Sequence, residues 1–276
     1  MSSDETDLGQ DYFQPEVLSA SWISTWLKCP RQLGYAKVSG IRIPPGWAMV
    51  GGTAMDHTLN EHLTQKIQGV NGLRGTALTD YYVTTLRRLG EKLQPTGEKD
   101  PDLEAGGAKL LPLYERQVSD KIEPLEVQKE VRIPFPDLGP NKVFVAHLDL
   151  IRSNGPTKVI SDHKFVGKSP MPDKAVKSLQ LRAYDYVIDD PSHQVEMINL
   201  VRLKRDPKIV VQPYIVTPDD RAEFLRMLRW VSRMSATKLY PQCDPTSWVC
   251  NPNWCGFYSI CRGRKGGPLP IPGEIL

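Results

Sequence analysis

Between Leu125 and Phe165 the chain alternates apolar and polar residues in three successive runs, interrupted only by clusters of turn residues. Leu125–Phe135, Lys142–Arg152 and Lys158–Phe165 each read as a strand, separated by PDLGPN and SNGP. The turn SNGPTK makes the second and third runs a hairpin. Everything else must pack around that sheet.

Helical patterns flank it. Ser21 is a candidate N-cap for a helix from Trp22 to Tyr35, with Cys29-Pro30 as an interruption. Ile41–Trp47 is a Pro/Gly loop. Gly51-Gly52 leads into a helix over Thr53–Gln68, and residues 69–76, with three glycines, form a turn. Leu78–Leu93 and Leu103–Val118 read as helices joined by QPTGEKDPD, a block suited to an insertion or lid. After the strands come a helix over Ala175–Ile188, a hairpin of Glu196–Leu203 and Ile209–Val216 around KRDP, and a helix over Asp219–Lys238. Thr217 caps that last helix, which has acids first and bases later, as its dipole favours.

Lys and Arg number 35 against 32 Asp and Glu, a net +3, which excludes a histone-like or a strongly acidic protein but not a local basic patch. No apolar run of about 18 residues exists, so no membrane span is expected. The first residues are acidic and polar rather than signal-peptide-like, so the expectation is a cytoplasmic protein with a mobile arm over 1–18.

The five cysteines are Cys29, Cys243, Cys250, Cys255 and Cys261, an odd number that speaks against a disulfide framework. Cys29 alone reads as a small buried hydrophobe. The run Cys250-x4-Cys255-x5-Cys261 reads better as metal or iron–sulfur ligation, with a fourth ligand from elsewhere; zinc is the other occupant.

Two carboxylates end adjacent strands. Asp149 closes VFVAHLD, and Asp162 follows VIS with Lys164 two residues on, on the same face of the strand. Paired carboxylates repel unless a cation lies between them, and oxygen ligands suit Mg²⁺ or Mn²⁺. A lysine beside such a cation can orient water or neutralise phosphate charge. Taken alone, Asp-x-Lys is better read as a surface salt bridge at a hairpin end, because the pattern is common. His57 lies on the helix after Gly51-Gly52. Gln180 and Tyr184 share one helix face, where a packed tyrosine beside a surface glutamine is the plain alternative. Glu130, on the first strand, either joins a metal shell or is an exposed strand glutamate. His62, His147, His163 and His193 read as ordinary core or surface side chains.

In this order, SASWISTWLKCPRQLGY, Gly52 with His57, Asp149, Asp162-x-Lys164, Gln180-x3-Tyr184 and the terminal cysteines, spanning residues 19 to 261, make the chain resemble the RecB-like branch of the PD-(D/E)xK nuclease superfamily. It looks most like the iron–sulfur members: the AddB nuclease domain, CRISPR-associated RecB-like exonucleases and phage exonucleases. The resemblance implies an α/β fold, a restriction-endonuclease-like core with a central mixed sheet flanked by helices, an N-terminal helical part and a C-terminal iron–sulfur staple. It divides the chain into an N-terminal arm (1–18), a helical part (19–122), the nuclease core (123–240) and the iron–sulfur segment (241–276), with 19–261 as one folded unit. His57, Asp149, Asp162 and the backbone carbonyl of His163 would ligate the catalytic metal, and Lys164 would be the catalytic lysine. Gln180 and Tyr184 would support the site or contact DNA. Cys29, Cys250, Cys255 and Cys261 would hold a [4Fe-4S] cluster. Departures are the x4 spacing, Ala146 where the family often has Gly, and the fifth thiol, Cys243.

The function so implied is metal-dependent hydrolysis of DNA, exonucleolytic, in recombination, repair or phage DNA processing. Single strands or duplex ends are the substrate, a helicase or recombinase is a candidate partner, and an oligomer is open. The alternative is an iron–sulfur or zinc DNA-binding or assembly factor with a vestigial nuclease site. Lys168, Lys174, Lys177, Arg182, Arg221, Arg226, Arg229, Arg233, Arg262, Arg264 and Lys265 are candidates for phosphate contact, and Trp230, Trp248, Trp254 and Phe257 for base stacking. A solvated helix face and core packing are the plain readings of the same residues.

Overall fold

The computed structural model describes residues 17–70, 72–97, 100–138, 141–188, 190 and 192–274. The expected arm lies outside the described residues except for Val17–Leu18, which form a strand, β1. The chain separates into two compact units that do not follow its order: one holds the described parts of Met1–Ile43, Arg132–Val145 and Ala222–Leu276, the other those of Pro44–Val131 and Ala146–Arg221.

The second unit is built on a mixed sheet. Strand β2 (Glu123–Pro134) pairs with β3 (Val143–Asn154), and β3 pairs antiparallel with β4 (Thr157–Val166). Asn154 faces Thr157 across a two-residue turn. Gly155 there has φ +64, the left-handed conformation such a hairpin turn needs. The expected hairpin is present, with strand ends within two residues of the sequence reading. β4 then pairs in parallel with β5 (Gln194–Val201), and β5 pairs antiparallel with β6 (Lys208–Tyr214). The β4-to-β5 connection is the crossover that parallel strands require, and it carries helix α6 (Leu179–Val187), capped by Ser178.

Every residue of β5 after Gln194 is buried, as expected of a central strand. Its polar residues are satisfied: Glu196 accepts from Arg152 (2.9 and 3.0 Å) and from Ser161 Oγ (2.6 Å), and Asn199 Nδ2 donates to Val210 O and Gln212 Oε1.

Helices α3 (Trp47–Ile67), α4 (Gly75–Leu93) and α5 (Asp102–Gln117) pack together in one core with Ile198 and Leu200 of β5. The glycine pair expected to precede α3 lies inside it. A Cβ on Gly51 would sit 2.5 Å from Leu103 Cδ1, so glycine here permits close helix approach rather than a turn. Among the described residues no helix is long and apolar enough to cross a membrane.

The first unit joins the two chain ends. Helix α1 (Ala20–Lys28) is capped by Ser19, not Ser21: Ser19 Oγ accepts from Trp22 N at 3.3 Å, and Ser21 Oγ hydrogen-bonds Ser19 Oγ instead. Cys29 ends α1, and Pro30 opens α2 (Pro30–Leu33), a position where its missing N–H costs nothing. β1 pairs in parallel with the start of β3 at Val143 and Phe144. Helix α7 (Pro218–Ala236) begins at a reciprocal cap, Asp220 N donating to Thr217 Oγ1 and Thr217 N to Asp220 Oδ2. Arg31, buried, donates to both oxygens of Glu274 (2.5 and 2.7 Å) and to the carbonyls of Tyr240 and Leu269.

Candidate active site

The β3–β4 ladder ends at the pair Leu150 and Ser161, one residue short of the two acids. There a side chain replaces a backbone acceptor: His163 N donates to Asp149 Oδ2 at 2.9 Å. Asp162 is fully buried, and Lys164, on the same face, donates from Nζ to Asp162 Oδ1 at 2.6 Å. Tyr184, from α6, reaches both acids, its hydroxyl 3.4 Å from Asp149 Oδ1 and 3.5 Å from Asp162 Oδ1. Gln180 Nε2 donates to the Tyr184 oxygen at 2.9 Å. That bond occupies the oxygen as acceptor and leaves its proton for the carboxylates.

Burial and the charge of Asp149 push Asp162 up to about 6 against the pull of Lys164. Burial likewise raises Asp149, opposed by Lys164 and the His163 amide. Burial alone would lower Lys164, but the carboxylates of Asp162 and Asp149 overcome it and hold the ammonium above its ordinary value. Tyr184 is raised well above the usual phenol range by burial and the same two acids. The second oxygen of Asp162 is buried with no hydrogen-bond partner. An orphaned carboxylate oxygen at that depth is costly unless a cation meets it.

The remaining candidates differ in their surroundings. His57 is exposed. The His163 ring is tied to Tyr114 OH at 2.9 Å and is held near 4 by burial, so it is neutral. Glu130 is exposed, its carboxylate 3.7 Å from His147 Nε2. Among the described residues no three His, Cys, Asp or Glu side chains are gathered as a metal-holding group.

Two residues that the motifs did not single out bear on the site's charge. Asp56, one position before His57, has its charge felt by Lys164 and Asp149, and itself feels that of Asp162. Burial raises it, and Gln128 Nε2 donates to its Oδ1 at 3.0 Å. Gln128 has φ +50, left-handed and uncommon for a strand residue. The only sequence sign of Asp56 was an acid beside the motif histidine.

The sequence profile of the PD-(D/E)XK nuclease superfamily matches residues 17–262. The chain belongs to this superfamily. A solved structure of a candidate exonuclease from Eubacterium rectale is similar at a TM-score of 0.57 and 13% identity over 98% of this chain and 96% of that one. A second solved chain, SSO0001, aligns over 91% of this chain and 88% of its own at a TM-score of 0.41 and 13% identity. The first likeness shows the fold: an α/β architecture with a mixed central sheet flanked by helices. No curated protein matches the sequence.

In the first unit of this nuclease all five cysteines line one cavity as free thiols. Gln32 Nε2 donates to Cys255 Sγ (3.1 Å), Gln242 Nε2 to Cys261 Sγ (3.0 Å) and Arg262 Nε to Cys250 Sγ (2.9 Å). Cys243 is pushed up to about 12 by burial and by Cys29 and Cys250, both within its hydrogen-bonding reach.

Several basic residues considered for phosphate contact are engaged elsewhere. Arg182 pairs with Asp220 (3.0 Å), Arg221 with Asp185 (2.9 Å), Arg229 with Asp137 (2.9 Å) and Lys177 with Asp173 (2.5 Å). Arg262 serves Cys250 and the Cys243 carbonyl. Phe257 packs on Tyr35 at 5.7 Å between ring centroids. Trp230, Trp248 and Trp254 are exposed, Trp254 by 73%.

Proposed function

We propose that this nuclease is a divalent-metal-dependent deoxyribonuclease, an exonuclease acting on single-stranded or duplex ends in recombination, repair or phage DNA processing. The observation that carries the reading is the partnerless, buried Asp162 Oδ2, placed beside a second buried carboxylate and a lysine. Asp149, Asp162 and the backbone carbonyl of His163 would hold the ion. The donor set is oxygen, which fits a hard cation. Bound Mg²⁺ or Mn²⁺ lowers the pKa of water and offsets phosphate charge.

The protein's own groups have separable tasks. The raised Lys164 is an ammonium at neutral pH, so it serves as a positive charge toward a phosphate oxygen rather than as a base. Tyr184, a neutral phenol oriented by Gln180, fixes the two carboxylates relative to each other. The neutral His163 ring, bonded to Tyr114, anchors the strand whose amide holds Asp149.

A [4Fe-4S] cluster on Cys29, Cys250, Cys255 and Cys261 belongs to the same reading. A thiol is a weak acceptor and a thiolate a strong one, and three of these four sulfurs each receive an N–H donor. Among the described residues the Cys243 sulfur receives no N–H donor and touches Cys29 and Cys250 instead.

The test is digestion of end-labelled single- and double-stranded DNA with Mn²⁺ or Mg²⁺, using protein purified without oxygen. Cleavage is expected to stop in chelator and in Asp162→Ala, with folding retained. Undiminished cleavage in both sinks the metal-nuclease assignment. A brown preparation supports iron–sulfur; a colourless, zinc-rich one supports zinc.

A further inference from the structure

Residues 167–178 join β4, which carries Asp162 and Lys164, to α6, which carries Gln180 and Tyr184. The tip of this loop is Pro170-Met171-Pro172. The prolines fix φ on either side of Met171, and the second one favours extended backbone at Met171 itself. Gln212 ties the tip down from β6: its Nε2 donates to Met171 O (2.8 Å) and Pro172 O (3.1 Å), and Lys174 N also donates to Met171 O (3.1 Å). The tether is itself held, because Gln212 Oε1 accepts from the buried Asn199 at 3.2 Å. On this fixed backbone the Met171 side chain is 69% exposed. The strand register places the tether beside the acids. Asp162 pairs with Met197 and Met197 with Gln212, so the three side chains share one face of the sheet. The Gln212 backbone stands two strand spacings, about 10 Å, from that of Asp162.

A single exposed apolar side chain is ordinary on any surface. Met171 differs in being held by its backbone, next to the acids, in a positively charged segment. Residues 167–178 carry three lysines, Lys168, Lys174 and Lys177, against one acid, Asp173. Lys177 pairs with Asp173, and Lys168 and Lys174 are exposed. Surplus positive charge suits a polyanion, and methionine is one of the side chains that insert between base steps. We propose that Met171 is a wedge that parts the terminal base pair of a duplex DNA end, with Lys168 and Lys174 on its phosphates, so that one strand is led to the acids. This rests on the deoxyribonuclease reading and names its substrate as a paired end that the protein itself opens.

The experiment reads opening apart from cleavage. Full-length protein is mixed, in chelator, with a blunt duplex carrying 2-aminopurine in its terminal pair, a base whose fluorescence rises when it unstacks; binding is followed in parallel by anisotropy. The wild type is expected to raise the fluorescence, and Met171→Ala to bind DNA without the rise. With Mn²⁺, the ratio of cleavage rates on the blunt end and on the same end with its last bases left unpaired is expected to fall about tenfold in Met171→Ala. Lys168→Ala and Lys174→Ala are each expected to weaken binding to both ends and to lower the slope of log affinity against log salt by about 1. The wild-type fluorescence needs no variant to fold. Binding by the wild type without a rise, or a rise and a cleavage ratio that Met171→Ala leaves unchanged, overturns the wedge and leaves the loop as a surface for a protein partner. Unchanged salt slopes overturn the phosphate contacts. A rise with no cleavage in either divalent ion overturns the nuclease reading and keeps the wedge. If the wild type binds no DNA, both fall.

Discussion

Asp149, Asp162, Lys164, Gln180 and Tyr184 come from two adjacent strands and the crossover helix that follows them. Cys29 instead meets Cys243 and its neighbours across nearly the whole chain. The acids are positioned by the sheet, whose ladder, tyrosine and lysine are formed by local folding. The thiols depend on closing a loop of about 200 residues, which is entropically costly and leaves few local contacts to enforce it. A second long-range tie stands beside them, the buried Arg31–Glu274 pair. The contrast teaches that damage to the first site should show as lost chemistry on an intact fold, and damage to the second as lost stability.

Lys164→Ala is the sharpest way to break that comparison. It removes the positive charge from a site the sheet holds in place, so cleavage of end-labelled DNA should fall about a hundredfold to a thousandfold, with the melting temperature little changed. A large stability loss with activity kept would reverse the assignment. Arg31→Ala should do the opposite. It strands a buried carboxylate and two carbonyls, costing about 3–5 kcal/mol in denaturant unfolding, while carboxylate-site cation affinity is kept in the folded fraction. Cys250→Ser should bleach absorbance at about 400 nm and lower the melting temperature by about 5–10 °C.

A pH series in chelator sharpens the first half. The Asp162 carboxyl lies higher folded (about 6) than its ordinary value of 3.8, so the fold favours its protonated form. Its contribution to stability is full below the ordinary value and is lost as pH rises through about 6. Melting temperature should therefore carry a falling component across that window, and Asp162→Asn should flatten it. Tyr184→Phe is the smallest effect. It keeps the packing and removes one shared donor, and an activity loss of about tenfold is expected with unchanged unfolding.

Much of this was legible along the chain because it is periodic or punctuated. Alternation and turn clusters located β3 and β4, and Asp-x-Lys put two side chains on one face by the period of a strand alone. The glycine pair misled because sequence carries no record of what approaches: Gly51 looks like a turn, and only the nearness of Leu103 makes it an interior residue of α3. Arg182 and Arg221 looked free for phosphate for the same reason, since Asp220 and Asp185 lie on other elements or turns of the fold.

By itself the sequence determined the strand pattern, the two acids with their lysine, and a cysteine spacing suited to ligation, because periodicity, turn chemistry and spacing are local. Only the tertiary structure decided that Asp56 rather than His57 turns inward, that Gln128 leaves ordinary strand geometry to hold it, and that Arg31 anchors the C-terminal segment. Each of those depends on which face of an element another segment covers, and neighbouring residues on one helix differ in that respect although the sequence lists them side by side.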